Sequence, residues 1–305
     1  MTNSNVASVV EQGLRAARSC DSELVTVVGP TATGKTALAI ALAERLAGEI
    51  VSADSVQIYR GFDAGSGKPT GEELARAPHH LVSTLDPLDH VDAATWAESA
   101  TAAIADVRAR GRVPIVCGGT FLWVKALLYG LAQAPAGNPQ VRERHRDLVE
   151  REGRPALHAL LGRVDAESAA RLHPNDFVRV SRALEVHDLT GKPMSIWQNE
   201  HAFRPARHGA RLLAIACDPA SLTERIRARV SSWLGAGWVE EVRGLVARGH
   251  GDARAMGSVG YAQIRAMLAG RLAPDDLEDA IVRATRVFAR RQRTWLNHAD
   301  VTWLS

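Results

Sequence analysis

"VVGPTATGKT", residues 27–36, is the stretch from which the fold of this chain is read. It fits G-x-x-x-x-G-K-[ST], from Gly29 through Pro30, Thr31, Ala32, Thr33, Gly34 and Lys35 to Thr36. That spacing turns backbone N–H groups toward a phosphate, adds the lysine charge, and leaves the last hydroxyl able to hold magnesium. The context fits. Apolar "LVTVV" (24–28) leads in as a strand, and "TALAIALAERLAGE" (36–49) leads out with helical spacing, stopping near Gly48. Further strands are expected at "EIVSAD" (49–54), "VPIVCGG" (113–119), "RLLAIACD" (211–218) and "DVTWL" (300–304), with a helix over 91–111. Strands alternating with helices place the chain in the α/β class, with a parallel sheet covered on both faces. Ligands of such sheets gather at the carboxyl ends of strands, where Gly29, Asp54 and Gly118 fall.

From 131 to 204 strand-like runs disappear and helical segments alternate with Pro and Gly, as in "NPQVRERHRDLVEREG" and "NDFVRVSRALEVHDLTG". The expected organisation is therefore a core of 21–130 with 205–305, carrying a small all-helical insertion domain at 131–204. The chain ends in a long amphipathic helix from Pro274 to about His298.

The 305 residues suffice for one large domain or two small ones. No apolar run approaches a membrane span, and "MTNSNVASVVEQ" lacks the basic flank and apolar block of a signal peptide. A cytoplasmic protein with no membrane partner is expected. Cys20, Cys117 and Cys217 are widely spaced and read as buried small residues, not as a zinc site or disulfides. Residues 1–150 carry a net charge of −3 and residues 151–305 a net of +6, so the second half is the candidate for polyanion contact. Because 33 of the 37 basic residues are Arg, arginine abundance alone does not establish this.

A hydrolytic NTPase places an acid at the end of a buried strand. "VPIVC" ends in "GGT", and the one rival is Asp218. The nearest acid on the ligand edge is Asp54 in "DSVQIY", which reads as a general base, a helix N-cap or a magnesium ligand. Ser55 and Gln57 beside it could face an adenine edge. "DAGSGKP" (63–69) with Lys68 either covers a phosphate or makes a turn, and Thr120 either caps a helix or donates to a ligand. Arg225 and Arg229 share a helix face and could clamp a leaving phosphate. Adjacent His79 and His80 point apart, and no metal is assigned to them. Arg283, Arg286, Arg290, Arg291 and Arg293 form an acid-free stripe suited to an RNA backbone, or to a solvated helix end.

In order along the chain, "GPTATGKT", "DSVQIYRG", "GKPT", "APHHLV", "CGGTFLWVKALLYG", "HPNDFVRVSRALEV", "TGKP", "SVGYAQ" and "RRQRTWL" resemble the tRNA dimethylallyltransferase family, also called tRNA isopentenyltransferases. The resemblance covers nearly the whole chain. Two positions depart from it: Trp123 stands for the usual Tyr, and Val178 for the usual Gln at an expected tRNA contact. The resemblance implies a P-loop NTPase-like sheet whose loop, Gly29 to Thr36, holds the diphosphate of dimethylallyl diphosphate, with Mg2+ on Thr36, instead of ATP. It implies transfer of the five-carbon group to N6 of adenine 37 in tRNAs reading codons that begin with U. Asp54 is then the base. Lys35, Thr36 and Arg229, with Arg225 second, stabilise the departing diphosphate, and Thr120 helps to hold Asp54 or a donor oxygen. The implied tRNA contacts are Asp54, Ser55, Val56, Gln57 and Thr120 in the core, and Arg142, Val178, Arg179, Val180, Ser181 and Arg182 in the insertion. Towards the C-terminus they are Gly260, Tyr261, Gln263, Arg290, Arg291 and Arg293. The insertion would clamp the anticodon stem-loop, and the protein would act as a monomer. An adenylate isopentenyltransferase, a P-loop small-molecule kinase and a non-catalytic RNA-binding protein remain open at this point.

Overall fold

The computed structural model describes residues 3–18, 24–202 and 206–305. The chain forms two compact units, 1–128 with 207–305, and 129–206. In the first unit the chain runs α1 (Asn3–Arg18), β1 (Leu24–Val28), α2 (Lys35–Leu46), β2 (Gly48–Ala53), α3 (Gly71–Arg76), β3 (His79–His80), α4 (Ala93–Ala109), β4 (Val113–Gly118) and α5 (Phe121–Tyr129). The second unit holds α6 (Pro139–Glu152), α7 (Arg154–Val164), α8 (Ala166–Arg171), α9 (Phe177–Thr190) and α10 (Met194–His201). The chain then returns to the first unit with β5 (Ala210–Ile215), α11 (Pro219–Gly235), α12 (Trp238–Ala247), α13 (Tyr261–Leu268), α14 (Leu277–Leu296) and β6 (Val301–Leu304).

The six strands lie in the order β3-β2-β4-β1-β5-β6 and every pairing is parallel. All five residues of β1 are buried, as expected for an unbroken apolar run in a central strand. Val9 and Leu14 of α1 and Leu38 and Leu42 of α2 pack with Val27, Ile50, Ile115 and Leu213 of the sheet. α4 lies on β2 and β4, where the Trp96 indole donates to the Ser52 carbonyl and its ring stacks on Trp123. The departure at Trp123 is thus absorbed by core packing.

Three local expectations change. No element is expected before Leu24, yet α1 is there; its stripe contains Gly13 and Ala17, which weakens the apolar signal. β3 pairs only His79 and His80 with Ile50 and Val51, too short a run to carry a period. The helix before β2 stops at Ala47, itself left-handed at φ 52 and ψ 44, not at Gly48. Gly48 answers a different need: a Cβ there would sit 2.7 Å from the Val113 carbonyl of the adjacent strand. Among the cysteines, Cys117 is buried and Cys217 only half-buried, while Cys20 lies outside the described residues.

In the second unit, Leu157, Leu161, Val180, Ala183 and Leu184 form a core of their own. The Asn138 side chain caps α6 with Pro139 at its first position, and Asp165 caps α8. Among the described residues no helix is long and apolar enough to cross a membrane.

Candidate active site

The loop between β1 and α2 reverses through left-handed backbone at Ala32 (φ 64) and Gly34 (φ 95). Alternating backbone hand of this kind points successive N–H groups into one concavity. The Thr33 hydroxyl donates to the Pro30 carbonyl at 2.9 Å and fixes the turn from inside. Lys35 Nζ reaches back to the same carbonyl at 2.7 Å. Desolvation, helped by the Arg229 charge, lowers the Lys35 ammonium to about 8 against the opposing influence of Cys117 and Asp54. An arriving anion would supply the missing counter-charge. Burial pushes the neighbouring Cys117 thiol up to about 11, so it stays protonated and unreactive.

Across a cavity of about 400 Å³ stands the turn that follows β2. Asp54 Oδ1 accepts the N–H groups of Val56 at 2.9 Å and Gln57 at 3.2 Å, leaving Oδ2 without a partner among the described residues. Among the described residues lining the cavity, Asp54 is the only acid. Thr120 Oγ accepts the Ser55 N–H at 3.2 Å, so it holds the turn beside Asp54 and not the carboxylate. The Gln57 amide does not face the cavity as a free adenine reader. It accepts from the Ser52 hydroxyl and donates to the carbonyls of Ser66 and Gly67, tying down the Gly-rich loop. Lys68 is likewise structural: its ammonium is buried against the Tyr59 carbonyl and Asp63.

Arg229 lines the cavity, 5.2 Å above the Trp233 ring and within 3.5 Å of the Thr31 hydroxyl. Arg225, one turn earlier on α11, does not line it. Asp218 is settled as the N-cap of α11, accepting from Ala220 and Ser221. The apolar side of the cavity is Ile226, Val230, Trp233, Trp238 and Phe288, none of which sequence reasoning selected. Trp238 is wedged between two glycines, for a Cβ at Gly65 or Gly260 would fall within 1.9 Å of its ring. The glycines of "DAGSGKP" and "SVGY" thus make room for an indole. A wide residue spacing with no local motif hides that contact from the sequence.

The expected RNA-facing residues separate into exposed and inaccessible ones. On α9 Val178 is 75% exposed and Arg179 is exposed, but Val180 and Ser181 are turned into the core of the second unit. Ser181 donates or accepts against His145 Nδ1 at 2.9 Å; the expectation that these two side chains meet tRNA is corrected. Arg142 and Arg182 both bind Glu185, which is 0% exposed and also accepts the Asn138 N–H. Burial raises the Glu185 carboxyl, but these hydrogen bonds outweigh it and hold the pKa below the usual value. Its contribution to stability is thus present above the ordinary carboxylate range and is lost as pH falls through the lowered folded value. Replacing Glu185 by Gln leaves two guanidinium groups without their anion, and urea unfolding of the second unit is expected to show a loss of about 3 kcal/mol. In the other unit, Gly260 and Tyr261 are buried, with the Tyr261 hydroxyl donating to Glu241, and Gln263 caps the Gly260 N–H. Direct tRNA contact by the Tyr261 ring is therefore corrected as well. Ser258 and Val259, just before them, do line the cavity.

On α14 the arginines are exposed, and among the described residues none of them pairs with an acid. Arg283, Arg286, Arg290 and Arg293 border a furrow of about 960 Å³, whereas Arg291 lies off that row. Between them Gln292 is buried. It accepts the Thr31 N–H and donates to the Gly119 carbonyl, a contact no motif announced.

A loop of phosphate-binding type on one side of a cavity and a carboxylate on the other suit group transfer from a phosphorylated donor, and the fold and site are those of a P-loop transferase. Comparison with known proteins narrows the class. The family model described as IPP transferase matches residues 57–299, and that described as isopentenyl transferase matches 22–83. A tRNA dimethylallyltransferase from Sorangium cellulosum is 64% identical over 93% of this chain and 90% of its own length. The crystal structure of a full-length tRNA isopentenylpyrophosphate transferase from Bacillus halodurans superposes with a TM-score of 0.69 at 34% identity, over 93% of this chain and 90% of that one. A eukaryotic dimethylallyltransferase, crystallised acting on tRNA, gives 0.77 at 25% identity over 93% and 74%. The chain belongs to the tRNA dimethylallyltransferase family of prenyltransferases.

Proposed function

We propose that this enzyme transfers the dimethylallyl group of dimethylallyl diphosphate to N6 of adenine 37 in tRNAs that read codons beginning with U. The observation that carries the reading is the opposition of the phosphate loop and the free Oδ2 of Asp54 in one cavity with an aromatic wall. N6 is a weak nucleophile, because its lone pair is delocalised into the purine ring, and it must shed a proton as the new bond forms. The bond between N6 and the allylic carbon forms, the bond from that carbon to the diphosphate oxygen breaks, the N6 proton passes to Asp54, and diphosphate leaves. Loop N–H groups, Lys35 and Arg229 stabilise the charge that builds on the leaving group. Adenine in a stacked loop hides N6, so the base must turn out of the stack to enter the cavity.

A magnesium ion fits this donor set. Thr36 and Asp54 both line the cavity, and among the described residues the Thr36 hydroxyl has no protein hydrogen-bond partner. One or two protein oxygens plus diphosphate oxygens are the usual surroundings of this ion. Bound there, it would neutralise charge on the diphosphate.

The exposed arginines of α14 supply the electrostatic attraction for an RNA backbone in the first unit, and within the second unit Val178 and Arg179 are the exposed residues of the expected tRNA-contact segment. The test is incubation with unmodified tRNA, magnesium and labelled dimethylallyl diphosphate, followed by nucleoside analysis. Label on N6 of adenine 37 is the expected result. Label transferred to AMP and not to tRNA would make the enzyme an adenylate isopentenyltransferase, and protection by ATP but not by the prenyl donor would make it a kinase.

A further inference from the structure

We infer that Gln292 is a positioning residue for the donor diphosphate, although it sits in the basic run "RRQR" that sequence reasoning gives to RNA. The inference rests on the prenyl-transfer reading above and adds a residue to it. Arg290, Arg291 and Arg293 are exposed, whereas Gln292, between them in sequence, is only 6% exposed. Its carboxamide is used at both ends. Oε1 accepts the Thr31 N–H at 2.9 Å, and Nε2 donates to the Gly119 carbonyl at 2.9 Å.

Each partner belongs to a different half of the site. Thr31 is the third residue of the phosphate loop, and its hydroxyl is the one Arg229 approaches. Gly119 precedes Thr120, whose hydroxyl holds the Ser55 N–H next to Asp54. One side chain therefore ties the loop that would receive the diphosphate to the β4–α5 turn, whose Thr120 in turn braces the turn that carries Asp54. The fit is close: a Cβ on Gly119 would lie 2.3 Å from Gln292 Nε2. Only a primary amide presents an acceptor and a donor side by side with this reach. A glutamate could take the Thr31 N–H, but it would turn an oxygen toward the Gly119 carbonyl and place negative charge beside an anion site. An apolar residue would leave a buried N–H and a buried carbonyl unpaired, and the loop would settle elsewhere.

The experiment separates this role from RNA contact. Gln292→Met conserves volume and removes both hydrogen bonds. Binding of dimethylallyl diphosphate and of inorganic diphosphate is measured by calorimetry with magnesium present, and binding of an unmodified anticodon stem-loop is measured across a salt series. Both diphosphates are expected to weaken about tenfold, or ~1.4 kcal/mol. The stem-loop affinity and its salt slope are expected to stay unchanged, and in steady state KM for the donor rises while KM for tRNA does not. A general loss of folded protein would lower the active fraction and leave both KM values alone. Gly119→Ala is the second variant, because it pushes the carboxamide aside without removing it; the same selective loss is expected. Weakened RNA binding with intact diphosphate binding in Gln292→Met would overturn the inference, as would wild-type diphosphate binding in both variants. Inorganic diphosphate needs only the loop. If the wild type binds it but moves no label to tRNA, the functional reading fails while the role of Gln292 is still decided by the two variants.

Discussion

Asp54→Asn is expected to lower the turnover number about a thousandfold, within the range for loss of a general base, while both substrates still bind. The expectation comes from how Asp54 divides its two oxygens. Oδ1 is structural, accepting the Val56 and Gln57 N–H groups, and an asparagine carbonyl can do the same. Oδ2 is the free atom, and asparagine replaces it with an N–H group that cannot accept the N6 proton. Asp54→Ala is a poorer test, because it also releases the turn held by Thr120 and confuses lost chemistry with lost geometry. Single-turnover transfer at saturating donor and tRNA isolates the chemical step. If Asp54→Asn kept a rate within tenfold of wild type, the base would have to lie outside the cavity, since among its described lining residues no other carboxylate is present.

The sheet was largely legible, because its strands are buried on both faces and appear as unbroken apolar runs, and because the phosphate loop announces the strand before it and the helix after it. What escaped was whatever depends on contact between distant residues. "RRQRTWL" reads as a basic stripe, and nothing in it shows that the helix buries Gln292 against Thr31 and Gly119. "NDFVRVSRALEV" reads as an RNA-facing segment, yet helical geometry turns Val180 and Ser181 inward while Val178 and Arg179 stay out. The 3.6-residue period is the signal that separates these pairs, and it lies within the motif itself. Glu185 shows the limit from the other side. A glutamate in an amphipathic helix is ordinarily solvated, and only the fold brings Arg142 from 43 residues away to bind it. Trp233 and Trp238 are aromatic residues on a helical stretch, which is the ordinary signature of core packing; that they wall the cavity follows from the tertiary fold alone.

Lys35→Met carries the second large effect: kcat/KM for the donor is expected to fall about 10²- to 10³-fold, the size found when a preorganised donor to a developing anion is removed. Methionine keeps an unbranched apolar stem beneath the loop, where the Lys35 methylenes would lie 3.5 Å from a Cβ on Gly29, so the backbone cradle survives and only the charge goes. Lys35→Arg should not restore activity. The guanidinium is broad and planar, and the ammonium it replaces is a compact charge bound at 2.7 Å to Pro30 inside the loop. Arg229→Gln is expected to cost less, because that guanidinium lies on the open face of Trp233 where water can partly replace it. The order of the two effects locates the charge. Departing diphosphate seated in the loop makes Lys35 the more costly loss, whereas a larger effect at Arg229 would move the leaving group to the cavity mouth and remove the phosphate loop from the chemical step.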